Sequence, residues 1–563
     1  MNFMSKISLS TVVASAIATT SFAQVPDSGT ILKEVQPPKM ETKKPVLPSI
    51  TPMQYKAPID QSDDIEIYVN SFTISNNTVY DDSTLFEILK PYTNQKLTLA
   101  KVKEAAALIT KYYRGNGYFV ARAYIPAQEL DPKGATVEIS IIEGVYGAFK
   151  MENSSNVDTE VVQYFMDKLS HNEIISTLSL ERQMLLINDL GGAIVSDAKI
   201  MPGEAVGTSD FIIEVSPQDR FTGYAVMDNY GSKYTGIYRL NAGVFVNGLS
   251  GVGDTLSLTG LISDTGDLKN ARVAYDRLVG NSGLNIGISG SYTEYELGEE
   301  LKSLEAKGDT KHLSAYLSYP IIKTRAHTLD TTLTYEHKKL RDQTFATDSK
   351  KQTDSLTIAL TNNINTSWLD RYGAFFVTAS ITYGDLKLKS DDARANDATL
   401  QSKGNYSKLN FEISQMQTFT NEFYLTTSLK AQSSLNKNLD SSESFSVGGA
   451  YGVRAYKDSE HSGDKGYIAS MELSYILPSV QGINHTLSTF VDHAKVWDNH
   501  DRVPGVDTNS RILNSIGLGY SASYKDFNLK ATLAHGFGPD KEATADGGRT
   551  DENLFLMQGL LRF

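Results

Sequence analysis

The sequence predicts a mainly β protein: a transmembrane antiparallel β-barrel of about 16 strands, preceded by two small α/β domains and a short N-terminal helix. Three observations carry this expectation. The chain ends in alternation, with Phe555, Met557, Gly559, Leu561 and Phe563 on one face and Gln558 and Arg562 on the other. The same period of two recurs from Phe221 onward. An N-terminal segment with the features of an export signal stands in front of it.

Bulk composition is consistent with this class. The 563 residues exceed one ordinary soluble domain. Mean hydropathy is -0.27 and no internal run approaches eighteen apolar residues, which argues against membrane helices. A barrel leaves such averages ordinary, because only alternate residues face lipid. The 30 tyrosines suit interfacial belts and the 42 glycines suit turns and barrel bends. Cysteine is absent, which excludes disulfides and thiolate metal sites. A net charge of -13 gives no support to a nucleic-acid partner.

Residues 1–23 combine Lys6, a modestly apolar run from Ile7 to Ile17, and small residues at Ser21 and Ala23, and read as a signal peptide. A disordered leader is the alternative. In 24–36, Asp27 or Ser28 can cap a short helix carrying Ile31, Leu32 and Val35 on one side. Residues 37–64 hold Pro37, Pro38, Pro45, Pro48, Pro52 and Pro58 and predict an extended, semi-stiff linker.

Residues 65–145 predict a first α/β domain, ordered strand, helix, helix, strand, strand. Asp81 and Asp82 precede one helix. Thr98 caps a second, with Val102, Ala105, Leu108, Ile109 and Tyr112 as its inner face, which leaves Tyr113, Arg114 and Tyr118 as surface candidates for binding a partner. Residues 146–217 repeat the plan in shorter form, with Val161, Phe165 and Leu169 on one helix and Leu178, Arg182, Leu185 and Leu186 on the next. Their sheet edges could accept an extended chain.

Residues 218–563 predict the barrel. Leu240, Ala242 and Val244 alternate with Arg239, Asn241 and Gly243; Met471 and Leu473 alternate with Ser470, Glu472 and Ser474. Charge on the second face implies a wet lumen. The segments Gly298–His312, Asp342–Thr353 and Ser390–Gly404 are expected as long outer loops, and Gly280–Gly283 as a short turn. A glycine-rich stretch at 448–452 leads into Val453-Arg454-Ala455-Tyr456, a hinge-like loop near 448–466 that carries one planar cation. Such a cation inside a narrow lumen needs a carboxylate.

Three motifs bear a family resemblance. Asp228-Asn229-Tyr230-Gly231, followed by Thr235-Gly236 and Arg239, is similar to an opening barrel strand and first turn. Val453-Arg454-Ala455-Tyr456 resembles the Val-Arg-Gly-Tyr/Phe motif of an inward-folding loop. Phe490-Val491-Asp492-His493-Ala494 resembles the Phe-x-Asp-x-Gly motif of a nearby strand. With the domain order, these resemble the outer-membrane transporters of two-partner secretion, whose α/β units are periplasmic POTRA domains. Ala455 and Ala494 depart from the usual glycines, which leaves the loop conformation open.

The resemblance implies a lumenal pair between Arg454 and Asp492, with Val453, Ala455, Tyr456, Phe490 and Ala494 around it, and a plug helix at Ile31, Leu32 and Val35. It implies a pore that passes a large unfolded exoprotein, encoded nearby, from periplasm to cell surface without nucleotide hydrolysis. The expected partners are that exoprotein, outer-membrane lipids and lipopolysaccharide, with the chain itself a monomer. The histidines are scattered, so no catalytic site, metal or cofactor is expected. The alternatives are an outer-membrane assembly factor and, behind it, an uptake receptor or a porin.

Overall fold

The computed structural model describes residues 25–35, 47–48, 66–131, 133–169, 173–368, 370–458, 461–504, 509–539 and 553–563. The signal-peptide segment 1–23 lies outside them, as does the proline-rich segment 37–64 apart from Leu47 and Pro48.

Sixteen antiparallel strands form a closed barrel, from Phe221–Asp228 to Asn553–Arg562. The last strand pairs back onto the first, in register from Gln558 with Asp228 to Arg562 with Tyr224. Closure leaves no unpaired edge inside a membrane, where a free backbone amide would go unsatisfied. The alternation at the C-terminus is realised: Phe555, Met557, Leu561 and Phe563 are exposed on the outer wall, while Leu556 is buried. Among the described residues no helix is long and apolar enough to cross a membrane.

Polar character on both faces of some segments has a different origin from the one expected. Asp342–Thr353 is no long loop. Strands His327–Gln343 and Asp348–Trp368 run through it and turn at 344–347. On the second of these the outward apolar residues are Leu356, Ile358 and Leu360, and Leu356 pairs with Tyr335 on one side and Tyr383 on the other, an outer aromatic belt. The residues before Leu356 stand above this belt in water. There both faces can be polar, as in the paired Arg341 and Asp348. Within Ser390–Gly404 the chain forms a helix, Asp391–Leu400, rather than an irregular loop.

The two α/β units precede the barrel. In the first, strands Glu66–Ser75 and Ala135–Ile142 are parallel neighbours flanked by Gln95–Thr98 and Arg122–Tyr124, with helices Asp82–Leu89 and Leu99–Gly115 packed on the sheet. In the second, Val145–Asn153 and Ala193–Pro202 flank Thr208–Pro217, with helices Thr159–Met166 and Thr177–Asn188. Of the expected inner residues, Phe165, Leu169, Leu185 and Leu186 are buried, while Val161 and Arg182 are half-exposed and Leu178 is exposed; Val162 and Met166 on the first helix and Leu180, Gln183 and Met184 on the second complete the buried faces.

The units join where Thr177 donates to the Gly117 carbonyl through its amide (2.9 Å) and hydroxyl (3.0 Å). Gly117 has φ 94, a left-handed geometry that favours glycine. The second unit is docked to three barrel turns. Asp158 N donates to Gly251 O (2.8 Å), Arg182 to the carbonyls of Ser282 (3.1 Å) and Pro320 (2.7 Å), and Asp189 pairs with Lys323. These turns therefore lie on the side of the N-terminal units, and 228–239, 296–307, 343–348 and 434–465 lie at the opposite end.

Candidate functional site in the barrel lumen

Two elements occupy the lumen. The first belongs to the segment between strands Phe423–Ser434 and Lys465–Val480, whose inward part begins near Leu439, before the expected 448–466. It holds a short 3-10 turn, Ser441–Glu443, and a two-residue ribbon, Phe445–Ser446 with Ser462–Gly463. A tight knot follows. Val453 N donates to Val447 O (2.8 Å) and Gly449 N to Tyr456 O (2.9 Å). Gly449 has φ 93, and a Cβ there would overlap the Asp458 side chain.

The knot aims Arg454 at the wall. Its Nε and Nη2 donate to Asp492 Oδ2 (3.0 Å) and Oδ1 (2.8 Å), and its backbone amide donates to Oδ2 (3.1 Å). Nη1 reaches Glu472 Oε2 at 2.5 Å. Ser470 and Ser515, the register partners of Asp492 on the neighbouring strands, donate the remaining bonds to its carboxylate, both at 2.7 Å. The guanidinium carbon lies 3.4 Å from the Phe490 ring centroid, a cation–π contact. Gly517 gives that ring its space, since a Cβ there would stand 2.4 Å from Phe490 Cζ.

The Asp492 side chain is fully buried, and Arg454 retains 6 % exposure. A buried pair keeps its desolvation cost low only when further hydrogen bonds satisfy its members, and here both carboxylate oxygens and all three guanidinium nitrogens are engaged. Val453, Ala455, Tyr456, Phe490 and Ala494 form the apolar packing around it. Neither alanine takes a positive φ, so a Cβ fits at both positions without backbone strain.

The second element is the helix Ser28–Glu34. Asp27 caps it, accepting from Thr30 N (2.9 Å) while Thr30 Oγ1 accepts from Asp27 N (2.9 Å), a reciprocal capping box. Ile31 and Val35 are buried with Tyr234, Leu268, Tyr295, Leu297 and Ala306, and Leu32 packs partly against them. These partners sit near the end of the barrel away from the α/β units. Polar contacts fix both helix ends. Ser28 donates to Asp342 through its amide (2.7 Å) and hydroxyl (2.9 Å). Ser441 Oγ donates to Asp27 Oδ2 (2.5 Å), and Lys33 Nζ to Ser444 Oγ (2.9 Å). At the C-terminal end Arg239, paired with Asp228 at 2.9 Å, donates to Glu34 O (3.0 Å), where a cation suits the helix dipole.

The 3-10 turn that meets the helix is itself tied to the wall. Glu443 pairs with Lys338 (3.0 Å) and Lys408 (2.9 Å), and Asp440 with Lys351 (2.8 Å). Sequence patterning did not single out these ions. Each partner is distant in the chain, and the only signal was their place on inward-facing strand positions.

The expected surface on the first α/β unit is not assembled. Tyr113 is fully buried, and its hydroxyl donates to Glu143 Oε1 at 2.8 Å. The buried face of its helix runs through Val102, Ala105, Ala106, Ile109 and Tyr113, while Leu108 and Tyr112 are half-exposed. This corrects the assignment of Tyr113 as a surface residue. Burial pushes its hydroxyl pKa up, reinforced by Glu143. Burial also pushes the Glu143 carboxyl up. Hydrogen bonds from Thr78 Oγ1, the Val79 and Thr78 amides and Tyr113 outweigh that and hold it below the ordinary glutamate range. Arg114 is exposed and donates to Ala121 O, and Tyr118 is half-buried edge-on to Tyr80.

Comparison with known proteins bears on the whole arrangement. Residues 207–521 match the family model described as haemolysin secretion/activation protein ShlB/FhaC/HecB, and 67–144 match the ShlB-type POTRA domain. The chain is 31% identical over 454 residues to the heme/hemopexin transporter protein HuxB of Haemophilus influenzae strain 86-028NP, covering 80% of this chain and 79% of that one. It is 24% identical over 429 residues to the outer membrane transporter CdiB of Escherichia coli, covering 73% and 69%. The structure of CdiB from Escherichia coli superposes with a TM-score of 0.71 at 20% identity, covering 92% and 94%. BamA from Haemophilus ducreyi lacking POTRA domains 1–3 superposes at 0.52 with 16% identity, covering 88% and 100%.

Proposed function

The chain belongs to the haemolysin secretion/activation protein family of ShlB, FhaC and HecB, and on that premise we propose that its lumenal helix and inward-folded loop are two closures that a secreted chain must displace. The protein is an outer-membrane transporter of two-partner secretion with its POTRA units in the periplasm. Members of this family are transporters, and such transporters work with a cognate secreted exoprotein.

The observation that carries the reading is the occupied lumen. The helix Ser28–Glu34 and the Arg454 knot are each held to the wall by hydrogen bonds that can exchange for water. An unfolded exoprotein, encoded nearby and presented by the two periplasmic units, would enter from that side and thread outward. Backbone pairing along a sheet edge such as Val145–Asn153 or Ala193–Pro202 suits a substrate without fixed structure. Folding outside the cell would then favour forward movement, with no nucleotide involved.

Secretion tests this directly. In cells lacking the chain, the exoprotein encoded beside it should stay in the periplasm, and re-expression should return it to the surface while other outer-membrane barrels keep their levels. Loss of those barrels instead would favour an assembly factor, toward which the likeness to BamA is the weaker one.

A further inference from the structure

The helix is joined to the first POTRA unit by the proline-rich segment, and two residues of that segment are fixed in place. Leu47 is 3 % exposed and belongs to the apolar core of the second POTRA unit, which also takes in Leu278 at the periplasmic end of a barrel strand. Arg325, on a periplasmic turn, donates from Nη1 to Leu47 O (3.2 Å) and from Nη2 to Pro48 O (2.9 Å). Its Nε pairs with Glu181 of the second POTRA unit at 2.7 Å. All three guanidinium nitrogens are thus engaged, and the arginine joins linker, POTRA unit and barrel.

The local sequence suits such a grip. Leu47 precedes Pro48 and so favours extended backbone, with its side chain to one side and its carbonyl free to accept. Proline has no amide to pair with a neighbouring strand, so a donor-rich guanidinium is an apt partner for the carbonyls around it.

We infer that the crevice formed by Arg325, Glu181 and the second POTRA unit is an anchor for the chain's own Leu47-Pro48, setting the length of the tether that returns the helix to the lumen. This rests on the helix acting as a plug. From Val35 to Leu47 is twelve residues, a reach of about 40 Å at full extension. The apolar band to be crossed is ~25 Å tall. Twelve residues are therefore enough to reach across that band. With Leu47 released, the tether runs from Val35 to Glu66, thirty-one residues. Effective concentration falls roughly as the -3/2 power of tether length, so release would cut helix return about fourfold.

The experiment uses the full-length protein in planar bilayers. Leu47→Asp, which leaves Arg325 intact, and Arg325→Ala should each lengthen the open dwell time about fourfold, with heat-modifiability of the barrel on gels confirming assembly. Neither should alter dwell time when residues 25–35 are also deleted. Unchanged dwell time for Leu47→Asp, with raised conductance on helix deletion alone, overturns the anchor and leaves the plug intact. No effect of the helix deletion overturns the plug reading itself. The chain has no cysteine, so Leu47→Cys reports alone: slow labelling by a bulky maleimide that becomes fast with Arg325→Ala supports the anchor, and fast labelling with Arg325 present overturns it.

Discussion

Gly29 stands so close to Ser441 that a Cβ on the glycine would lie 2.4 Å from the serine hydroxyl oxygen and 2.4 Å from the Ser442 amide nitrogen. The helix and the inward loop therefore meet at a contact that admits no side chain. Gly29→Ala improves intrinsic helix propensity by about 1 kcal/mol, yet it should unseat the helix from the 441–443 turn. We expect more frequent channel opening in bilayers. Unchanged or rarer opening would show that the turn yields at no cost.

Arg454→Ala should impair secretion while leaving the barrel inserted. It strands the Asp492 carboxylate in a buried site, a loss typically of about 3–5 kcal/mol. Asp492→Ala should share the defect, and the double variant should cost less than the sum of the two. Secretion assays on the four proteins of the cycle measure this; strict additivity would separate the roles of the two residues.

Glu443→Gln should loosen the turn beneath the helix, because Lys338 and Lys408 both lose their shared carboxylate. Opening frequency is the readout, with Gly29→Ala as the reference. If the two act on one contact, the combined variant should open little more than either alone.

The carboxyl of Glu143 titrates below its ordinary range in the folded first POTRA unit. Its contribution is therefore present above the unfolded-state value of about 4.3 and lost as pH falls through the lower folded-state value. Hydrogen exchange followed by mass spectrometry should show peptides around Thr78, Tyr113 and Glu143 losing protection as pH falls into that window. Tyr113→Phe should bring the loss at neutral pH forward by roughly 1–2 kcal/mol of local stability. Equal protection across that pH range would show that the carboxylate contributes nothing.

The barrel was legible because lipid reads one residue in two, and Phe555 to Phe563 obey that rule to the last side chain. Arg454 and Asp492 were legible through local motifs. The Glu443 pairs were not, since Lys338 and Lys408 are unremarkable inward-facing lysines until the closed barrel brings them to one turn. The exchange of Tyr112 for Tyr113 has a simple cause. Neighbouring residues on a helix differ by about 100°, and apolar spacing alone left two faces nearly equivalent. The acceptor that selects Tyr113, Glu143, comes from beyond a different strand. The 342–353 segment was misread because alternation ends where lipid ends, although the strands continue.

Those strands place the point of exit away from the bilayer. On Asp348–Trp368 the stretch before Leu356 rises above the tyrosine belt, and eight residues at ~3.3 Å each, inclined by ~45°, lift the mouth roughly 20 Å over it. A chain leaving this protein would first meet free water from the rim of a protein turret raised above the tyrosine belt. Its earliest folded residues would then form where neither acyl chains nor charged headgroups compete for them.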